Sequence, residues 1–248
     1  MKKTVYIFLV LTQLLFSQNG FDRGNELYQK GNYIEAVKAY ESVLKGNKQS
    51  AELYFNIGNC YYKLNKVAPA IYNYEKALVL EPNDKEVQNN LKFAHKLQID
   101  EIKEVQKVGF EKLIRDFTGA FHYNTWAWIA VAFVFLFLLF FIGYFFSQTT
   151  VFKRVFFIGM FVLVFLLLIS ISSAIFERNH FKNEKPAIVF AEVVSVKNEP
   201  RASGSEVFIL HEGTKVFVKE ALENWKKIQL TDGTEGWIEE SAIREVKP

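Results

Sequence analysis

The sequence predicts a multidomain membrane protein that joins an all-α repeat domain, a two-helix transmembrane hairpin and an all-β barrel. Three observations predict this fold class. The chain repeats with a period of 34 residues between Gly20 and Gln98, two long uncharged apolar runs follow, and short alternating strands close the chain. Half of the 248 residues are hydrophobic and 23% are charged, which excludes a disordered chain because enough apolar surface is available to form cores.

The composition excludes several classes of function. Lys and Arg number 30 against 27 Asp and Glu, and a net charge of +3 is far from the concentrated basic face that binding to nucleic acid requires. The single cysteine, Cys60, cannot form an intramolecular disulfide, and the 4 histidines show no metal-ligand spacing. No nucleophile motif or phosphate-binding glycine loop is present. We therefore expect no catalytic residues, no cofactor and no metal site.

The N-terminus predicts a secretory signal peptide over residues 1–17. Lys2 and Lys3 precede an apolar stretch from Val5 to Phe16, and a polar segment begins at Ser17. About 12 apolar residues at about 1.5 Å each are short for a hydrocarbon core about 30 Å thick. Cleavage after this segment and its retention as an anchor both remain open, and both export the residues that follow.

Two uncharged runs predict transmembrane helices over 126–146 and 155–176. Each is about 30 Å long or slightly longer as a helix, which matches the hydrocarbon core. Trp126 and Trp128 would anchor the outer end in an aromatic belt. The alternative is a buried helical hairpin in a soluble protein, in which such uncharged length is rarely needed.

The segment 147–154 predicts a cytoplasmic turn between the two spans. It contains Lys153 and Arg154, which the positive-inside rule keeps in the cytoplasm. The parts of the chain that precede and follow the hairpin in sequence then both lie in the periplasm, and the hairpin itself crosses the bacterial inner membrane. A short charged neck, 177–185, leads from the second span to the last domain.

The membrane-proximal segment 99–124 predicts an amphipathic helix. Apolar residues recur there at steps of three and four, with charged residues between them. They are Phe110, Leu113, Ile114, Phe117 and Phe121. Two positions for this helix stay open: it rests in the membrane interface, or it packs on the soluble domain as its last helix.

The 34-residue period places small and aromatic residues at fixed positions, most completely in its second copy. These residues are Tyr54, Ile57, Gly58, Tyr61, Ala70, Tyr74, Ala77 and Pro82. The pattern resembles the tetratricopeptide repeat, which implies antiparallel helix pairs over 18–98 with a terminal capping helix from Lys85. Two repeats are fewer than the roughly three that usually stand alone, so we expect the cap and the membrane-proximal helix to complete the core.

Stacked repeats of this kind form a concave surface lined by the first helix of each pair. The repeat register places five residues on that surface: Asn25, Tyr28, Asn59, Tyr62 and Phe93. We predict that they line a groove that binds a protein partner. The alternative is that they form a solvated face without a partner.

Residues 186–248 alternate in polarity and predict a small barrel of five strands. The strands are expected at 187–196, 207–210, 215–219, 225–230 and 236–238, with a hairpin turn at Asp232-Gly233. The succession of Gly213-Thr214, Asn224-Trp225 and Gly236-Trp237-Ile238 resembles the bacterial SH3 domain. That resemblance implies that Trp225 and Trp237 lie in the core or at the rim of the barrel.

The order of these segments resembles the membrane proteins of the Bacteroides aerotolerance (Bat) operon. This resemblance implies a non-enzymatic adaptor that works with von Willebrand A-domain membrane proteins and a MoxR-type ATPase in oxygen tolerance or envelope stress. The competing interpretation is a peptidoglycan-sensing membrane protein, in which the SH3-like domain binds the cell wall and the repeats recruit a hydrolase.

Overall fold

The computed structural model describes residues 20–102 and 109–247, which form two compact units. The first unit contains 20–102 together with 185–247, and the second contains 109–184. The predicted signal peptide, 1–17, lies outside the described residues. Each unit has its own organisation.

The first unit begins with helices that stack in pairs. Helix α1 covers the described residues 20–29, and the helices that follow are α2 (Tyr33–Lys45), α3 (Ala51–Lys63), α4 (Val67–Leu80) and α5 (Lys85–His95). The Ser50 hydroxyl caps α3 by accepting a hydrogen bond from the Leu53 N–H, and the Asp84 carboxylate caps α5 in the same way. The predicted helical repeat region is thereby confirmed.

Glycine at equivalent repeat positions allows the helices of each pair to approach closely. A Cβ atom added at Gly58 would lie 2.7 Å from the Tyr74 ring, and one added at Gly24 would lie 2.3 Å from the Tyr40 ring. Both tyrosines are only 1% exposed. A larger residue at either glycine would therefore push a buried ring out of the core.

The other half of this unit is an antiparallel sheet in the order β3-β2-β6-β5-β4-β1-β7. Its strands are β1 (Pro186–Val189), β2 (Val193–Lys197), β3 (Glu206–His211), β4 (Lys215–Leu222), β5 (Trp225–Gln229), β6 (Glu235–Glu239) and β7 (Ile243–Glu245). Val196, Val216, Ile228 and Ile238 are fully buried and form its core. This arrangement confirms the predicted all-β, SH3-like domain.

The prediction of five strands is wrong in two places. The expected strand 187–196 divides into β1 and β2, because β1 pairs with β4 and β7 whereas β2 pairs with β3 and β6. Strand β7 was not predicted, since three residues are too short to show an alternating pattern. Trp225 and Trp237 are half-buried, and the neighbouring Ile238 fills the core instead.

The barrel packs against α4 and completes the apolar core of the repeats. Ile188 and Val246 belong to the same buried cluster as Ile71 on α4. The Tyr72 and Phe190 rings meet edge to face, with centroids 5.5 Å apart. We expected the membrane-proximal helix to complete this core, but that helix belongs to the second unit and the barrel takes its place.

Polar contacts fix the barrel on the repeats. Lys215 Nζ lies 2.8 Å from both carboxylate oxygens of Glu75, whose side chain is 9% exposed. Asp100 accepts hydrogen bonds from Thr214 Oγ1 at 2.6 Å and from the backbone N–H of His211 at 2.7 Å. Paired donors and acceptors at these positions specify one docking geometry, because a shift would leave buried polar groups without partners.

The second unit consists of α6 (Phe110–Thr118), α7 (Tyr123–Phe146) and α8 (Thr150–Asn183). By length and composition, α7 and α8 could each span a membrane. The two helices pack closely where a Cβ at Gly143 would meet the Phe156 ring at 2.7 Å. Helix α8 begins before Lys153 and continues through most of the predicted neck, so the connection itself is only 147–149.

Acidification should weaken the junction between barrel and repeats through Asp100. Burial acts to raise the pKa of Asp100, but the hydrogen bonds from Thr214 and His211 outweigh it and hold the pKa below its ordinary value of 3.8. A lowered carboxyl pKa stabilises the folded state above the unfolded-state pKa, and this stabilisation is lost as the pH falls through the folded-state pKa. We expect Asp100→Asn to lower the Tm at pH 7. The difference in Tm between this variant and the unaltered chain should disappear as the pH falls below about 4.

Thermal unfolding followed by circular dichroism over this pH range measures the effect, with Asp22→Asn at an exposed position of α1 as the matched control. A constant difference in Tm between Asp100→Asn and the unaltered chain at all pH values would contradict the assignment.

Candidate functional site

The groove side of the repeats is organised by asparagine side chains on the first helix of each pair. Asn25 Oδ1 accepts a hydrogen bond from the Tyr40 hydroxyl at 2.6 Å. It also lies 3.3 Å from the Asn56 Nδ2 donor on the next first helix. One carbonyl oxygen therefore joins the two helices of its own pair to the neighbouring pair.

The same arrangement recurs one repeat later. Asn59 Oδ1 accepts from the Tyr74 hydroxyl at 2.7 Å and from Asn90 Nδ2 at 2.9 Å. Each of these three positions is 34 residues beyond its counterpart in the first set. We refer to the two sets, Asn25–Tyr40–Asn56 and Asn59–Tyr74–Asn90, as the asparagine ladder.

The five predicted groove residues divide into two groups. The oxygens of Asn25 and Asn59 are occupied within the ladder, so these side chains position helices. Tyr28 and Tyr62 are half-buried, and Phe93 is 52% exposed. Part of the surface of each of these three aromatic residues is therefore exposed.

The aromatic members of the groove are held by neighbouring side chains. Tyr28 packs edge to face on Tyr33, with ring centroids 5.3 Å apart, and Lys96 Nζ lies 5.1 Å from the centroid of the Phe93 ring. Burial raises the pKa of Tyr74, and the nearby Tyr28 and Tyr62 add to this rise. The hydroxyl of Tyr74 consequently stays protonated and donates to the ladder.

Cys60 lies in the core beneath the groove. It is fully buried, and burial raises the pKa of its thiol to about 12. The thiolate is the reactive form of cysteine, and a raised pKa lowers the fraction of thiolate at neutral pH. Cys60 therefore serves as a packed apolar side chain of the repeat core.

The barrel and the groove use different helices of the repeat region. The barrel contacts Val67, Tyr72 and Glu75 on α4, as well as Gln98 and Asp100 after α5. The predicted groove residues lie on α1, α3 and α5. Within the part of the chain that the structure describes, these polar and aromatic barrel contacts therefore fall on α4 and after α5, away from the predicted groove residues.

Close approach at the junction depends on Gly213. Its backbone has a φ of +89°, and a Cβ there would lie 2.9 Å from Val67 Cγ1. The Gln98 side chain donates to the Gly213 carbonyl at 2.5 Å. A side chain at this position would be strained and would also separate the barrel from α4.

Sequence reasoning missed the ladder and the junction for different reasons. Tyr40, Asn56 and Asn90 could have been found, because an Asn followed by Tyr 15 residues later and Asn 31 residues later occurs twice at the repeat period. Glu75 and Lys215 are separated by 140 residues, and no local pattern connects them. Within 20–102 and 109–247, no three His, Cys, Asp or Glu side chains are grouped to hold a metal ion.

Comparison with known families identifies both soluble modules. Models described as TPR repeat and as tetratricopeptide repeat match residues 24–65 and 51–84, and the bacterial SH3 domain matches residues 191–245. The chain contains tetratricopeptide repeats and a bacterial SH3 domain. These matches agree with the helix pairs and the barrel.

Several curated relatives are similar to about a quarter of this chain. Hsp70-Hsp90 organizing protein 1 of Glycine max is 36% identical over 61 residues, which cover 25% of this chain and 11% of the relative. Tetratricopeptide repeat protein 16 of Homo sapiens is 36% identical over 72 residues, or 29% of this chain and 8% of the relative. Dynein axonemal assembly factor 4 of Rattus norvegicus is 37% identical over 59 residues, or 24% and 14%. The matched part is a small fraction of each relative's length.

Breaking the ladder should destabilise the repeats. Asn59→Ala removes the acceptor of the Tyr74 hydroxyl, and an unsatisfied buried hydroxyl costs about 1–3 kcal/mol. Removing both partners is less costly, so Tyr74→Phe added to Asn59→Ala should recover part of this loss. Denaturant unfolding of the detergent-solubilised full chain measures the four members of this cycle. Strictly additive effects of the two substitutions would show that the two side chains are not coupled.

Proposed function

We propose that this chain is a non-enzymatic, membrane-anchored adaptor whose repeat groove holds a protein partner in an envelope complex of the Bat type. The observation that carries the proposal is the asparagine ladder. It fixes the first helices at one spacing, so that Tyr28, Tyr62 and Phe93 offer aromatic surface along the same side. Tetratricopeptide repeats and SH3 domains are both protein-interaction modules, which supports a role in assembly.

The aromatic residues are proposed to make the energetically important contacts. Tyrosine and other rigid aromatic side chains dominate binding energy in many interfaces because they bury large areas with little loss of conformational entropy. Asn25 and Asn59 are proposed to act indirectly, by holding α1 and α3 in place. The names of two relatives, an organizing protein and an assembly factor, are consistent with such a role.

The membrane anchor is proposed to be the hairpin of α7 and α8 in the bacterial inner membrane. Many large apolar side chains of both helices are exposed, among them Phe135 at 64% and Phe165 at 64%, and lipid would cover them. Residues 20–102 and 185–247 form one unit, so the chain must return to the side from which it entered. Lys153 and Arg154 near the connection favour a cytoplasmic turn and periplasmic soluble domains.

The segment order favours the repeat-and-SH3 member of the Bat operon, called BatE, among the proteins that this chain resembles. We accordingly propose von Willebrand A-domain membrane proteins as partners in aerotolerance. No cofactor enters this function. Peptidoglycan binding by the barrel is the competing proposal, and retention of the intact protein on purified peptidoglycan would favour it.

The topology can be tested by labelling single introduced cysteines in intact cells with a membrane-impermeant maleimide. We expect Glu86→Cys and Lys219→Cys to be labelled and Gln148→Cys to be labelled only after cell lysis. Cys60 gives little background because it is buried. Labelling of Gln148→Cys before lysis would exclude the proposed orientation.

The groove can be tested by replacing its two tyrosines. We expect Tyr28→Ala/Tyr62→Ala to lower affinity for the von Willebrand A-domain partners by about a hundredfold or more, because truncating an interface tyrosine in a well-packed spot costs about 2 kcal/mol. Co-purification from native membranes followed by quantitative binding provides the measurement. Ile34→Ala is the matched control, since Ile34 is 55% exposed on the second helix of its pair. Equal binding by the double variant and the control would remove the groove from the mechanism.

A further inference from the structure

Helix α6 carries an exposed apolar face next to the hairpin. Phe110 is 76% exposed, Leu113 66% and Phe117 54%. Because neighbouring residues of a helix are 100° apart, these three lie on one side, and the charged Lys112 and Asp116 lie off that side. Exposing such an apolar face to water is unfavourable in free energy, which indicates that the face contacts an apolar environment.

Side-chain contacts fix where α6 lies along the hairpin. Thr118 Oγ1 donates to Glu177 Oε1 at 2.6 Å, and Arg115 Nη2 lies 2.8 Å from His180 Nε2. Glu177 is the first charged residue after the apolar run of α8, and His180 is about 6 Å beyond Phe176 along the helix axis. This distance falls within the headgroup layer, which extends about 5–8 Å beyond the hydrocarbon core.

Trp126 connects α6 to the first turn of α7. Its indole N–H donates to the Thr118 carbonyl at 2.7 Å in a buried position. Phe117 and Phe121 pack on the indole ring, with centroids 5.5 and 5.4 Å away. Trp126, which we expected in an aromatic belt with Trp128, is therefore only 6% exposed, whereas Trp128 is 73% exposed.

These contacts make the apolar face of α6 continuous with the apolar surface of α7.

Cationic side chains also occur at the same level of the hairpin. Arg178 and Lys182, one turn apart on α8, line a crevice of about 530 Å³ together with Ala127 and Ala174. Cations that line such a crevice complement the phosphates of a lipid layer.

We propose that α6 is an interfacial helix, lying in the headgroup region with the Phe110, Leu113 and Phe117 side against the acyl chains of the bilayer. The proposal rests on the proposed membrane anchoring of α7 and α8. The occupant of the apolar face is a phospholipid surface, and its headgroups face Lys112, Arg178 and Lys182. The helix would thereby set the depth of the hairpin in the membrane.

The test is the depth of nitroxide labels on the full chain in vesicles of phosphatidylcholine and phosphatidylglycerol. Labels at Leu113→Cys and Lys112→Cys compare the two sides of α6. Leu139→Cys, in the middle of α7, and Lys219→Cys, on the barrel, are the lipid and water references. The measured quantity is the ratio of collision with oxygen, which concentrates in lipid, to collision with a water-soluble nickel chelate.

We expect a ratio at Leu113 that is severalfold higher than at Lys112 and that lies between the ratios at Lys219 and at Leu139. A ratio at Leu113 equal to that at Lys219 would overturn the proposal, because the face would then lie in water. Shielding of Leu113 from both reagents would also overturn it, in favour of a protein partner or a second copy of this chain. A water-like ratio at Leu139 would instead refute the membrane anchoring on which the proposal rests.

Discussion

The closure of a short repeat array is the constraint on which the soluble unit depends. Two helix pairs and one further helix leave the outer side of α4 apolar, and this side must be covered by some other part of the chain. Ile188 and Val246 of the barrel enter the same buried cluster as Ile71 and provide that cover. The SH3 domain thus serves as a structural part of the repeat domain as well as a module of its own.

This closure changes how two interaction modules can act together. Modules on a flexible linker gain affinity through effective concentration, which depends on linker length. Here the barrel is held by a Glu75–Lys215 ion pair with a nearly buried carboxylate and by the hydrogen bonds of Asp100. Removing one partner from such a pair destabilises a protein by more than the intact pair stabilises it. The pair therefore favours one docking geometry of the barrel on the repeats over alternatives. The repeats and the barrel consequently form one compact unit.

The asparagine ladder shows how polar side chains can hold neighbouring helices together. Asparagine supplies a carbonyl oxygen that accepts two hydrogen bonds, one from a buried tyrosine and one from the next asparagine. Tyr28 and Tyr62, on the same two helices as Asn25 and Asn59, are half-buried. Polar residues on a concave face are therefore not by themselves evidence of contact with a partner.

The sequence by itself determined the repeat region, the two apolar helices and most of the barrel, because each rests on a periodic or local pattern. The 34-residue period placed Gly58 and Tyr74 at the small and aromatic positions of the repeat, and Asp232-Gly233 identified the turn between β5 and β6, where Gly233 has a φ of +90°. In a helix pair or a hairpin, the residues that pack on one another are close in sequence. The pattern of apolar residues in that segment therefore predicts its structure.

Only the tertiary structure decided how the barrel docks, which of the predicted groove residues are hydrogen-bonded within the repeats, and which residues of α8 contact α6. Asp100 and Thr214 are 114 residues apart, and neither lies in a pattern that indicates the other. The repeat register predicts Asn59 as a groove residue, yet its side-chain oxygen accepts a hydrogen bond from Tyr74. The position of Trp126 predicts an aromatic belt, yet Phe117 packs on its ring. The physical reason is the same in each case: the partner of a side chain across an interface is selected by three-dimensional proximity, which short-range periodicity does not encode.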